Sequence, residues 1–101
     1  MSTQSPKKTV VHPLVDIHEN EQEFLLVADL PGVSKDALEI TVAGGQLELR
    51  ADTDSLEYRR SFALGDDLDF DAVEAKLDRG ELKVHLPKRA EARVRKIAVK
   101  G

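Results

Sequence analysis

The stretch Ala75-Lys76-Leu77-Asp78-Arg79-Gly80-Glu81-Leu82-Lys83-Val84-His85-Leu86-Pro87 decides the fold of this chain. Apolar and polar residues alternate on both sides of Gly80, and Pro87 follows the second run. A period of two is typical of strands that bury one face, and glycine permits the tight turn between them. The stretch therefore predicts a β-hairpin with one buried face.

Length and composition indicate one globular domain. The chain has 101 residues, of which 41% are hydrophobic and 34% charged, and this length suits a single hydrophobic core. The formal net charge of -4 supplies no field that would attract nucleic acid. The absence of cysteine excludes disulfides and fits a reducing cytoplasm. No apolar run approaches the roughly 18 residues of a membrane span, so we expect a cytoplasmic protein without a membrane partner.

Short apolar runs separated by turn residues follow one another from Leu14 onwards, which is typical of an all-β domain. Gly44-Gly45 indicates a two-residue hairpin turn. Pro31-Gly32 ends the strand predicted at residues 23–30. Ser34 is placed to cap one helical turn that ends at Ala37. Strands are predicted at residues 14–18, 23–30, 38–42, 46–50, 58–64, 73–77 and 82–86.

Residues 71–79 also fit a helix. Asp71 and Glu74 have the spacing of a capping box, Val73 and Leu77 are four apart, and Gly80 is a typical helix stop. The glycine turn into the following β-pattern favours a strand at 73–77, because the rest of the chain is strand after strand.

Four motifs occur in order over residues 14–99. They are Leu30-Pro31-Gly32-Val33, Tyr58-Arg59-Arg60-Ser61-Phe62-Ala63-Leu64-Gly65, the opening stretch and Ile97-Ala98-Val99. In this order and spacing the chain resembles the α-crystallin domain of the small heat shock proteins (Hsp20 family). Glu81 stands where that family has an apolar residue, and Gly65 stands where it has proline.

The resemblance implies an immunoglobulin-like β-sandwich of about seven strands. Residues 1–12 would then be a short flexible N-terminal arm, 13–88 the α-crystallin-like domain, and 89–101 a C-terminal extension. Bacterial and plant members of the family usually carry a long loop before the arginine strand, with a strand that swaps between subunits. Here only about four residues, 52–55, occupy that place, so we expect no swap through this loop.

The resemblance also implies a set of contact residues. Ile97 and Val99 would anchor the extension in a groove of a neighbouring subunit, although they also fit a last strand or a frayed tail. Arg60 would lie at the dimer interface, although it fits an ordinary exposed charge on a strand equally well. The groove would consist of residues that also fit an ordinary core: Leu38, Ile40, Val42, Val73, Ala75 and Leu77.

The implied function is that of an ATP-independent holdase, a chaperone that binds partly unfolded proteins and prevents their aggregation. Its partners would be unfolded clients, further copies of itself in a homo-oligomer, and other small heat shock proteins. Two alternatives remain: a p23/CS-like co-chaperone adaptor, and a regulatory subunit that co-assembles with longer small heat shock proteins.

No residue pattern predicts an enzyme or a cofactor. His12, His18 and His85 lack ligand spacing, so no metal site is expected. The aspartates at 66–71 lack the order of a calcium loop and indicate a solvated turn. The basic residues after Pro87 lack interleaved aromatic residues, which favours a solubilising spacer over a nucleic-acid surface.

Overall fold

The computed structural model describes residues 8–90 and 97–101 and shows an all-β sandwich. The first sheet contains, in spatial order, β1 (Thr9–Val11), β6 (Leu56–Ala63), β5 (Gln46–Asp52) and β4 (Leu38–Ala43). The second contains β2 (Val15–Glu19), β3 (Glu23–Asp29), β8 (Glu81–Pro87) and β7 (Glu74–Asp78). Single 3-10 turns lie at Lys35–Ala37 and Phe70–Ala72. The predicted sandwich is confirmed, with eight strands among the described residues where about seven were expected.

The core lies between the two sheets and is built by alternation. In β5 and β8 every second side chain is buried, so each strand sends one face inward. Burial of a leucine or valine side chain contributes about 1.5 to 3 kcal/mol to the stability of the fold. The buried residues are Leu26, Ala28, Leu30, Val33, Leu47, Leu49, Ala51, Tyr58, Leu68, Leu82, Val84 and Leu86.

The hairpin at Gly80 has the turn that the opening stretch predicts. Arg79 and Gly80 both have positive φ, at 51° and 81°, and Asp78 pairs with Glu81 across the turn. Two consecutive positive φ angles give the turn that matches the twist of the flanking strands. The strand prediction at 73–77 is confirmed by β7, and the helical alternative is wrong because residues 74–78 pair along β8.

The Leu30–Val33 loop packs on this same hairpin. The Leu30 N–H donates to the Gly80 carbonyl at 2.6 Å, and the Tyr58 hydroxyl donates to the Pro31 carbonyl at 3.3 Å. Leu30 and Val33, the two ends of the loop, are buried. Motifs that are distant in the sequence therefore meet in one contact at the end of the sandwich.

Part of the expected N-terminal arm is a strand. Thr9–Val11 runs parallel to Leu56–Tyr58, and the Thr9 N–H donates to the Ser55 carbonyl at 3.2 Å. Val11 packs against the core, which explains why this short β-branched segment pairs with β6. The interpretation of residues 9–11 as part of a flexible arm is wrong, and residues 1–7 lie outside the described residues.

The connection between β5 and β6 is a tight hairpin within one chain. Asp52 pairs with Glu57 across it, and the Thr53 N–H donates to the Leu56 carbonyl at 2.9 Å. The Thr53 hydroxyl accepts from the Leu56 N–H at 3.0 Å. These contacts hold residues 52–57 in their own sheet.

Candidate docking surfaces

The edge strands β4 and β7 border a groove between the two sheets, here called the β4/β7 groove. It has a volume of about 400 Å³. Four of the six predicted groove residues line it, together with the buried Leu82 and two lysines: Leu38, Ile40, Ala75, Leu77, Lys35 and Lys76. The other two predicted residues, Val42 and Val73, are half-buried against the core and lie outside this lining.

Neither lysine of the groove was predicted from the sequence. Lys35 lies in the 3-10 turn before β4, and Lys76 belongs to the polar alternation of β7 opposite Lys83. Only the approach of two strands from different sheets brings their side chains to one groove. An apolar occupant would therefore meet positive charge at its margin.

The predicted anchor residues are highly exposed in the structure. Ile97 is 83% and Val99 is 93% exposed, in a segment without helix or strand. Residues 91–96, which join them to the domain and contain Arg93, Arg95 and Lys96, lie outside the described residues. The anchor role of Ile97 and Val99 stays a prediction.

Arg60 makes its contacts inside its own chain. Its Nη1 donates to the Pro13 carbonyl at 3.2 Å, and its guanidinium lies 4.8 Å from the ring centroid of Phe62. The register of β6 places Arg60 opposite the buried Leu49, so its side chain lies on the inner side of the sheet. Its role at a dimer interface stays a prediction.

A second apolar cavity lies at the other side of the sandwich, where β2 approaches β6. This β2/β6 seam has a volume of about 190 Å³, and apolar residues form most of its lining. Ile17 of β2 is 52% exposed here, because β2 is the edge of its sheet. The alternation of β2 could have identified Ile17, but its exposure depends on sheet order. The lining consists of Ile17, Phe24, Leu26, Phe62, Ala63, Leu64, Gly65, Leu68 and Leu86.

The three histidines lie apart and make separate contacts. His85 Nδ1 is 3.0 Å from the Glu23 carboxylate, and His12 Nδ1 is 3.0 Å from the Arg59 carbonyl. Within the described ranges, no group of three or more metal-binding side chains converges. In the acidic turn the Asp69 carboxylate accepts from the Asp71 N–H at 3.2 Å, which is a structural role. Among residues 8–90 and 97–101, no helix has the length and apolar character needed to cross a bilayer.

Comparisons with known proteins agree on one family. The model of the Hsp20/alpha crystallin family matches residues 16–100. An 18 kDa antigen 1 from Mycobacterium intracellulare is 31% identical over 108 residues, which cover 90% of this chain and 72% of the relative. A probable 15 kDa heat shock protein from Leptospira interrogans is 29% identical over 101 residues, covering 86% of this chain and 78% of the relative.

Solved structures show the same similarity. A small heat-shock protein from Xylella fastidiosa superposes with a TM-score of 0.72 at 32% identity, over 88% of this chain and 96% of that one. The hspA protein from Xanthomonas axonopodis gives 0.70 at 31% identity, over 82% of this chain and 97% of that one.

Proposed function

Because this chain belongs to the Hsp20/alpha crystallin family, a family of chaperones, we propose that it is an ATP-independent holdase. It would bind apolar segments of partly unfolded proteins and keep them from associating with one another. The observation that carries this proposal is the β4/β7 groove, where Leu38, Ile40, Ala75 and Leu77 lie between two sheet edges. The cysteine-free composition suits action in the cytoplasm.

The groove offers two kinds of contact to an extended client segment. The free edges of β4 and β7 present backbone N–H and C=O groups that can pair with an added strand. The apolar lining receives alternate side chains of that strand. Such binding depends on exposed apolar surface in the client and needs no chemical step.

We further propose that Ile97 and Val99 of one subunit occupy the same groove in a neighbouring subunit. Both side chains are exposed, and a two-residue spacing on an extended segment directs them to one side. The chain would then be a homo-oligomer in which tail docking and edge pairing replace strand swapping.

A p23/CS-like adaptor is the second candidate, and the β5–β6 connection favours it. Thr53–Ser55 close a tight hairpin, which leaves no strand for exchange with a neighbour. A regulatory subunit that docks its tail on longer small heat shock proteins would fit the same tail. Both alternatives predict little aggregation suppression by the purified chain alone.

The test compares two single substitutions by light scattering of a heat-unfolded client enzyme. Ala75→Lys places a cation in the groove at an exposed position, whereas Thr41→Lys adds the same charge on the outer face of β4, opposite Glu48. We expect Ala75→Lys to lose most of the suppression and Thr41→Lys to retain it. Equal suppression by both variants would refute the groove as the client site. No suppression by the parent chain would favour the adaptor or the regulatory subunit.

A further inference from the structure

Four edge strands are available for pairing in the described sandwich, and β2 is the longer of the two whose edges have no assigned use. β4 and β7 border the β4/β7 groove, and β1 has only three residues. β2 has five residues, and two large apolar side chains at this edge are exposed: Leu14 at 87% and Ile17 at 52%. An exposed apolar edge strand is a template for pairing with another chain.

The turn between β2 and β3 determines which backbone groups of β2 are free. The Asn20 N–H donates to the Glu23 carbonyl at 3.0 Å, so these residues form a hydrogen-bonded pair. Hydrogen-bonded and non-bonded pairs alternate along an antiparallel ladder. His18 and Asp16 therefore direct their backbone groups towards β3. The N–H and C=O groups of Val15, Ile17 and Glu19 face outward from the sheet.

The side chains of Asp16 and His18 select one register for pairing β2 with a copy of itself. In an antiparallel pair centred on Ile17, Asp16 lies opposite the partner's His18, and His18 lies opposite the partner's Asp16. The free groups of Val15 then meet those of the partner's Glu19. Only shifts by two residues keep the free backbone groups paired. One such shift places Asp16 opposite the partner's Asp16, and the other places His18 opposite the partner's His18. An imidazole N–H of His18 can donate to the Asp16 carboxylate opposite it, whereas two carboxylates directly opposite each other repel. The register centred on His18 loses both Asp16–His18 pairs.

The environment of His18 on its own sheet supports this register. Leu25 of β3 lies directly opposite His18, and Glu23 lies diagonally across from it. Glu23 also contacts His85 of β8. With Asp16 on its own strand, His18 thus has carboxylates nearby and no lysine or arginine opposite it.

The centre of the inner face is apolar in the same arrangement, and Glu19, which lies opposite the partner's Val15, is bound by Lys88 of its own chain at 2.6 Å. Ile17 lies opposite the buried Leu26 and lines the β2/β6 seam with Phe24 and Phe62. Pairing about Ile17 brings the two Ile17 side chains together and removes both from water. A shift by one residue would instead place polar side chains on this face.

We propose that two copies of this chain pair through β2, antiparallel about a two-fold axis at Ile17, so that one sheet continues into the other. The β2 dimer specifies which strand forms the edge pairing of the proposed homo-oligomer. The dimer does not depend on chaperone activity. The occupant is a second copy of the chain, because Asp16 and His18 of β2 complement each other across this two-fold axis.

Amide hydrogen exchange of the full chain, measured by NMR at low and high protein concentration, tests the backbone prediction. Asp16 and His18 amides should be protected at both concentrations by the bonds to β3. Ile17 and Glu19 amides should gain protection only at the higher concentration. Protection of all four amides at infinite dilution, or exposure of Ile17 and Glu19 in a dimer of confirmed mass, would refute the proposal.

A charge exchange tests the register by sedimentation. Asp16→Lys places a cation opposite the partner's His18 at two symmetric positions, and should raise the dimer dissociation constant roughly tenfold. Adding His18→Asp to this variant restores opposite charges and should recover most of the affinity. Failure of the double variant to recover, with unchanged thermal unfolding, would exclude this register.

Ile17→Lys and Val10→Lys form a matched pair at similarly exposed positions, 52% and 47%. Only Ile17→Lys should abolish the dimer. Client suppression that survives in monomeric Ile17→Lys would leave the holdase proposal standing beside a confirmed β2 dimer. A dimer that survives Ile17→Lys would overturn the β2 proposal.

Discussion

Gly80 is the residue on which the hairpin and the Leu30–Val33 loop both depend. Its φ is +81°, and an added Cβ would lie 3.3 Å from the Leu30 carbonyl oxygen and 3.4 Å from the Pro31 Cα. Both neighbours are backbone atoms, so neither can move aside as a flexible side chain would. Gly44 also has positive φ, at +59°, but an added Cβ there would meet nothing within 4 Å.

Alanine substitutions at Gly44 and Gly80 separate the cost of backbone strain from the cost of steric contact. Gly44→Ala should lower the free energy of unfolding by about 1 kcal/mol, the cost of left-handed backbone in an L-residue. Gly80→Ala should cost about 2 to 3 kcal/mol, because crowding against the loop is added. Urea unfolding measures both values. Equal losses at the two positions would mean that the loop moves freely away from Gly80.

Glu57 forms ion pairs with two arginines on the outer face of the first sheet. Arg50 and Arg59 lie directly opposite each other, and their Nε atoms are 2.9 and 3.4 Å from Glu57 Oε1. The Glu57 side chain is only 13% exposed, while both arginines are more than half exposed. Solvent screening therefore limits the contribution of each pair.

We expect Glu57→Gln to lower the free energy of unfolding by about 1 kcal/mol at low salt, because it leaves like charges opposite each other. The loss should shrink at high salt, where exposed charges are screened. Glu48→Gln is the control, since Glu48 lies opposite Ser61 on the same face. Urea titrations at both salt concentrations measure the difference. A loss at Glu57 that is independent of salt would indicate packing instead of charge.

The alternation of apolar and polar residues predicted most strands correctly, but it did not predict which strands lie next to each other. β5 and β8 were recognisable because their apolar residues recur with period two, and each buries that face. β1 was missed because three residues carry too little pattern, and its stability depends on the edge of β6. The exposure of Ile17 follows from sheet order, which local sequence does not encode. Four of the residues predicted from the sequence line the β4/β7 groove, whose role stays a prediction, and Lys35 and Lys76 come to it only through the approach of two sheets.

The tail can be tested as an element separate from the domain. Ile97→Ala with Val99→Ala should reduce the mass of the assembly and leave the melting temperature of the domain unchanged, since both residues are exposed in the chain itself. Loss of two branched side chains should weaken docking by roughly 2 to 4 kcal/mol. Light scattering with mass detection and calorimetry provide the two measurements.

Ala98→Ser is the control for this tail variant, because residue 98 points away from the anchor side. It should keep the parent mass. A lower melting temperature with unchanged mass in the Ile97/Val99 double variant would show instead that the segment belongs to its own domain.

For the whole molecule, sheet order separates the two proposed contacts. β4 and β7 are the last strands of their sheets, and β1 and β2 are the first. A dimer through β2 therefore leaves the β4/β7 groove open at the other side. Each dimer would carry two grooves and two tails, which is sufficient for further assembly and for client binding.

The tail and the client should compete for the β4/β7 groove, and this competition should limit chaperone activity. If Ile97 and Val99 occupy the groove that clients need, removal of residues 95–101 should improve suppression of client aggregation. The parent chain should need at least one molar equivalent of protein over client, because the tail blocks the groove part of the time. Replacement of Arg95, Lys96 and Lys100 by glutamine, with Ile97 and Val99 intact, controls for the lost charge and should give no such gain. Suppression that falls on truncation, or that occurs far below stoichiometric amounts in the parent, would contradict competition and favour co-assembly with other chaperones.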